Sequence, residues 1–203
     1  MISRAAAFVA AFLAAAPAFA LTDAESSAVG MAEDYLQSIR TVQADFVQQA
    51  ESGARAQGEL LMRRPGLIRF QYAPPSKVVL ISDGSLVSFI DYEVGQLTQW
   101  PLSDTPLAWL VRKDIDLEKD AIIDEVEAGG GELRFRLRDP DRADQGSIRF
   151  HFLTGPMRLI GWELTDQQDQ TTTVALTNLA VNGDLPPNAF RYEEPKAPWD
   201  TER

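Results

Sequence analysis

The hexapeptide Leu133-Arg134-Phe135-Arg136-Leu137-Arg138 alternates a large apolar side chain with an arginine at every step. A period of two places the apolar set on one face of a strand and the cations on the other. Such a strand has one face on a core and the other in water, as antiparallel sheets allow. Gly129-Gly130-Gly131 supplies the turn before it.

The same reading extends in both directions. Toward the C-terminus, Ile148, Phe150 and Phe152 alternate with Arg149 and His151. Ile160, Trp162 and Leu164 follow Gly155-Pro156 and read as one further face, and Val174 and Leu176 belong to a last long strand. Toward the N-terminus, Val42, Ala44, Phe46 and Gln48 share a parity, as do Leu60 and Met62, and then Ile68, Phe70 and Tyr72 after Pro65-Gly66. Val78 to Ile81 is a short continuous apolar run, and Asp83-Gly84 signals a hairpin into Leu86–Ile90. Tight turns between short strands imply antiparallel pairing.

Helical signals are few. Thr22-Asp23-Ala24-Glu25 has the form of a capping box. Val29, Ala32, Tyr35, Leu36 and Ile39 then recur at helical spacing, which predicts a helix over residues 23–39. Asp104-Thr105-Pro106 is a second start signal, followed by Leu107, Trp109, Leu110 and Val111. Many strands with so little helix must curl to bury one face. The expected fold is therefore mainly β with α: an open (incomplete) antiparallel β-barrel of about eleven strands covered by a helical lid.

Residues 1–20 read differently. A basic start at Arg4, an apolar run from Ala5 to Ala16, and Ala18-Phe19-Ala20 form a secretory signal peptide with its cleavage signature. Residues 21–203 are then expected as one mature domain, exported and soluble. Asp and Glu number 30 against 19 Lys and Arg, so the chain is repelled by nucleic acid and by anionic lipid surfaces. There is no cysteine, so neither a disulfide nor a lipid anchor after the signal peptide is expected.

The residue types that catalysis needs are nearly missing. There is no G-x-S-x-G elbow and no phosphate loop. The single histidine, His151, has the parity of the outer face and reads as a solvated surface residue. The acids read as solvated faces rather than metal ligands. No enzyme, cofactor or metal is expected. One charge does break the pattern. Leu60, Met62 and Arg64 share parity, so Arg64 faces the hollow near a strand end. A guanidinium against apolar surface must find acceptors, and helix ends offer unpaired carbonyls. Arg64 could thus latch a lid, or else the strand stops one residue early and Arg64 is exposed.

The ordered set of motifs resembles the LolA family of outer-membrane lipoprotein carriers. It comprises Ala44-Asp45-Phe46-Val47-Gln48, Gly58-Glu59-Leu60, Arg63-Arg64-Pro65-Gly66, Arg69-Phe70-Gln71-Tyr72, Ser82-Asp83-Gly84, Asp91-Tyr92 with Gln96 and Thr98, Thr105-Pro106-Leu107, and Phe190 with the Pro195 region. The resemblance implies a cavity for lipoprotein acyl chains, loading by the inner-membrane transporter LolCDE, delivery to the receptor LolB or directly to the outer membrane, and a monomer. It implies that Arg64, the arginine of the R-P motif, governs lid opening. Ile68 departs from the family, which often has an aromatic residue there. The expected cavity residues are Phe46, Leu60, Met62, Ile68, Phe70, Leu80, Phe150 and Trp162, each of which could equally be filled core. The expected lid residues are Tyr35, Leu36, Leu107, Trp109 and Leu110. Competing readings are a glycolipid or other amphiphile carrier, an envelope-stress regulatory protein of related fold, and a LolB-like receptor, which the missing cysteine opposes.

Overall fold

The structure, a computed structural model, describes residues 21–196. The expected signal peptide lies outside the described residues. Helix α1 (Asp23–Ser38) precedes six strands: β1 (Thr41–Ala50), β2 (Arg55–Arg63), β3 (Leu67–Tyr72), β4 (Val78–Asp83), β5 (Leu86–Asp91) and β6 (Gln96–Pro101). Helices α2 (Ala108–Val111) and α3 (Leu117–Asp120) follow. The chain then makes β7 (Ile122–Gly129), β8 (Glu132–Arg138), β9 (Ser147–Thr154), β10 (Met157–Thr165) and β11 (Thr171–Val181).

All eleven strands join one sheet in the order β6-β5-β4-β3-β2-β1-β11-β10-β9-β8-β7. Two antiparallel meanders thus meet along β1 and β11, and among the described residues β6 and β7 are unpaired edges. Phe70 on β3 and Trp162 on β10 show that the sheet curls. Three strands separate theirs, so in a flat sheet they would stand roughly 19 Å apart at the usual spacing. Their ring centroids are instead 6.3 Å apart.

The inner face forms one apolar cluster with the helices. Phe135, Phe150 and Phe152 are fully buried and in mutual contact, with centroids 5.8 to 6.0 Å apart. Truncating any one of them to alanine would cost about 3–5 kcal/mol. Helix α1 starts at the expected capping box, with Thr22 and Glu25 each bonding the other's backbone. It buries Ala28, Val29, Ala32 and Leu36 against the strands.

Three expectations need correction. Ile160 does not share the face of Trp162: the β9–β10 register shifts between Leu159 and Gly161, so Leu159 and Trp162 turn inward and Ile160 is only half-buried. One extra residue in a bulge reverses parity beyond it. Gly161 is needed there because a Cβ would lie 2.3 Å from the Val174 carbonyl oxygen. The helix expected from Thr105 starts later, at Ala108, after a 3-10 turn over Leu102–Asp104, and is a single turn long. His151 lies opposite Phe150 as expected but is not freely solvated. Its side chain is 19% exposed, with Nε2 3.4 Å from Glu163, and burial is the main cause of its lowered pKa.

The outer face carries a second apolar cluster that the alternation did not anticipate. Val79, Ile81 and Ile90 are buried there, with Leu97, Phe190 and Tyr192 packed over them. The continuous run Val78–Ile81 belongs to a strand covered on both faces, which is how such runs arise. The C-terminal segment is held by Arg69 donating to the Arg191 carbonyl at 2.8 Å and by Tyr92 donating to the Glu193 carbonyl at 2.9 Å.

Gly66, in the turn from β2 to β3, should be intolerant of a side chain. Its φ is +81° and a Cβ would stand 2.6 Å from the Gly84 Cα. Gly66→Ala is expected to destabilise the protein by about 2 kcal/mol or more from the left-handed backbone and the clash together. The urea midpoint should fall with an unchanged slope, and an unchanged midpoint would contradict this packing.

Candidate functional site

The registers define two ends of the curled sheet. Arg63 of β2 pairs with Thr41 at the start of β1, and Ala50 at the end of β1 pairs with Thr172. Arg64 therefore sits at the first end. There it meets the C-termini of two helices. Its Nε donates to the Leu110 carbonyl at 2.9 Å, and its Nη1 donates to the Leu36 carbonyl and, at 3.5 Å, to that of Ile39. The backbone closes the same junction: Arg64 N–H donates to the Arg40 carbonyl and Gly66 N–H to the Val111 carbonyl, both at 2.8 Å.

This contact fits a need in α1. Its last turn contains no basic residue, and a helix C-terminus presents unpaired carbonyls and a partial negative charge. Arg64 supplies the missing cation from the β2–β3 turn. No described carboxylate pairs with it, and Nη2 has no partner. Burial pushes its pKa down to about 10, still far above neutrality, so the guanidinium is charged and its desolvation is a standing cost.

The helices are also tied to each other. Gln37 on α1 donates to the Ile115 carbonyl at 3.1 Å, and Glu33 accepts from the Leu117 N–H at 2.8 Å. Arg112 stacks on Trp109, 3.8 Å from the ring centroid.

Two spaces lie on the inner side of the sheet. Beneath Arg64 is a void of about 20 Å³, room for about one water molecule, lined by Leu36, Leu60, Met62, Ile68, Leu110 and Trp162 among others. At the other end is an open cleft of about 510 Å³, with Phe70, Leu80, Leu107 and Trp162 in its wall.

The residues singled out in the sequence thus divide. Leu60, Met62, Ile68, Leu36 and Leu110 meet at the void, Phe70, Leu80 and Leu107 at the cleft, and Trp162 at both. Leu80 is half-buried; the other expected cavity residues are buried. Phe46, Phe150, Tyr35 and Trp109 reach neither space and are packed core: Phe46 between Phe70 and Tyr72, and Tyr35 edge-on to Phe152 at 6.1 Å. Leu159 and Leu176 also line the void, and Trp100 and Val174 the cleft. Parity could have found Val174 and Leu176; the bulge hid Leu159.

Residues 37–193 match the family model described as outer membrane lipoprotein carrier protein LolA. The chain belongs to the LolA family. An outer-membrane lipoprotein carrier protein of Methylococcus capsulatus is 30% identical over 185 residues, 86% of this chain and 87% of that one. One from Chromobacterium violaceum is 28% identical over 182 residues, covering 85% and 86%. An uncharacterized conserved protein of Thermus thermophilus, known by crystal structure, aligns with a TM-score of 0.48 at 13% identity, over 85% of this chain and 96% of that one. In this LolA-family member the R-P motif of Arg64 and Pro65 lies where the sheet meets both helix ends.

If Arg64 holds α2 down, replacing it should loosen that segment selectively. In Arg64→Leu, amide exchange over residues 107–112 should accelerate on the order of tenfold or more, the yield of a charge-assisted hydrogen bond. Exchange in β8 and β9 should not change. Hydrogen–deuterium exchange read by mass spectrometry checks this, and unaltered protection at 107–112 would refute it.

Proposed function

We propose that this chain is a periplasmic carrier that takes up the acyl chains of lipoproteins leaving the inner membrane, shelters them inside the curled sheet, and delivers them to the outer membrane. The observation that carries the reading is the Arg64 guanidinium, charged and unpaired by any described acid, bridging the sheet to the carbonyls of Leu36 and Leu110. Family membership and the names of its relatives as lipoprotein carriers supply the cargo class. Among the described residues no helix is long and apolar enough to cross a membrane. The signal-peptide reading of residues 1–20 supplies the compartment.

Energy explains why such a device needs a latch. Each CH2 moved from water to an apolar site gains about 0.8 kcal/mol, so release of acyl chains into water is prohibitive. Transfer from a bilayer to an apolar interior gains almost nothing on the same scale. Such a carrier cannot extract cargo by hydrophobicity alone; an ATP-driven transporter such as LolCDE would have to load it. It can hand cargo to a slightly better acceptor, such as LolB or the outer membrane itself. The void of about 20 Å³ is far too small for acyl chains. Chains that pass beyond the open cleft into the apolar interior therefore lift the helices and break the Arg64 bonds. Their loss raises the energy of the loaded form and favours release.

Arg64→Leu should accept lipoprotein and yield it poorly, because entry no longer breaks these bonds. Transfer from purified loaded protein to acceptor should slow at least tenfold, the equivalent of about 1.4 kcal/mol. Transfer at the wild-type rate would defeat the mechanism.

A further inference from the structure

Trp162 separates the two spaces. It is 1% exposed and lines both the void and the cleft, yet its indole N–H has no acceptor among the described residues. Buried tryptophan N–H groups normally find one. The void cannot supply it: apart from Arg64, itself a donor, its lining side chains are apolar. A carbonyl entering with a ligand would supply the acceptor that no described residue provides.

The chemistry of the cleft narrows what that ligand is. Its lining includes the carboxamides of Gln48, Gln145, Gln167, Gln168 and Gln170 and the carboxylates of Asp104 and Asp166, with no lysine or arginine. Asp104 is paired at 3.1 Å with Arg142, which lies outside the lining. The Asp166 carboxylate accepts from the backbone N–H groups of Gln168 and Gln170. Two of the amide oxygens are engaged: Gln48 Oε1 accepts from Tyr72 at 2.8 Å and Gln145 Oε1 from Gln167 at 2.6 Å. The amide groups that remain on Gln48 and Gln145 are donors. A phosphate here would meet two carboxylates and no cation of the lining. An ester or amide carbonyl would meet donors.

We propose that Trp162 anchors the cargo by donating its indole N–H to an acyl carbonyl, ester or amide, at the point where the chains join their head, and that the head seated in the cleft is uncharged. The proposal rests on the carrier reading and sharpens it. The cleft is open while the latch is closed, so a head can dock there before the chains enter. Trp162 lies on the boundary they must cross.

The test uses three probes with the same two chains: a synthetic diacylglyceryl-cysteinyl peptide with its amine acetylated, its analogue with both chain esters replaced by ethers, and phosphatidylglycerol. Binding is read by displacement of a fluorescent acyl probe. Wild-type protein should bind the carbonyl-bearing peptide about fivefold to tenfold more tightly than the analogue, as one hydrogen bond yields. Trp162→Phe should bring that ratio close to one. A wild-type ratio of one, or an undiminished ratio in Trp162→Phe, overturns the anchoring role. The wild-type comparison is decisive even if the variant does not fold. Phosphatidylglycerol bound as tightly as the peptide overturns the requirement for an uncharged head. Binding of none of the three by the wild type overturns the carrier reading itself.

Discussion

A sheet that curls without closing exposes one apolar face that its own strands cannot cover. In this chain β6 and β7 do not pair, and the inner face at the Arg64 end is covered by α1 and α2 instead. A seal made by another element can be lifted, whereas a closed ladder of strands cannot open without losing backbone hydrogen bonds. The apolar interior, the helices over it and the arginine at their ends all follow from that missing closure.

The seal is anchored in a way that suits repeated opening. Arg64 donates to carbonyls rather than to a carboxylate, so the junction has the strength of charge-assisted hydrogen bonds without a buried ion pair. It also satisfies a helix end that the sequence of α1 leaves without a cation. The rest of the cover is knitted by Gln37 and Glu33 to the α2–α3 segment, so α1 and that segment are linked to each other as well as to the sheet. The outer arginines belong to a different arrangement. Arg136 and Arg138 share Asp124 on the edge strand β7, which keeps that edge charged and ill-suited to pairing with another chain.

Much of this was legible because β structure repeats every two residues. The alternation through Leu133–Arg138 gave the face of β8, and the parity of Leu60 and Met62 put Arg64 on the inner side at a strand end. What stayed hidden breaks the period or depends on distance. The bulge before Gly161 reverses parity inside β10, so simple alternation assigns Ile160 the face that Leu159 occupies. The outer cluster of Val79, Ile81 and Ile90 depends on Phe190 and Tyr192, about a hundred residues away. Packed core and cavity wall are equally apolar in sequence, so Phe46 and Phe150 could not be told from Leu60 and Met62. The missing acceptor of the Trp162 N–H is visible only with every neighbour in place.

The central claim is that loading lifts the helical cover off the sheet at the Arg64 end. The protein contains no cysteine, so spin labels can be placed at will. Val47 is exposed on the outer face of β1 and Lys113 just beyond α2. Labels at Val47→Cys and Lys113→Cys report the separation of cover and sheet by double electron–electron resonance. The distance distribution should move to longer values when a triacylated peptide is bound and return when it is passed on. A loaded protein with the distribution of the empty one would contradict the account.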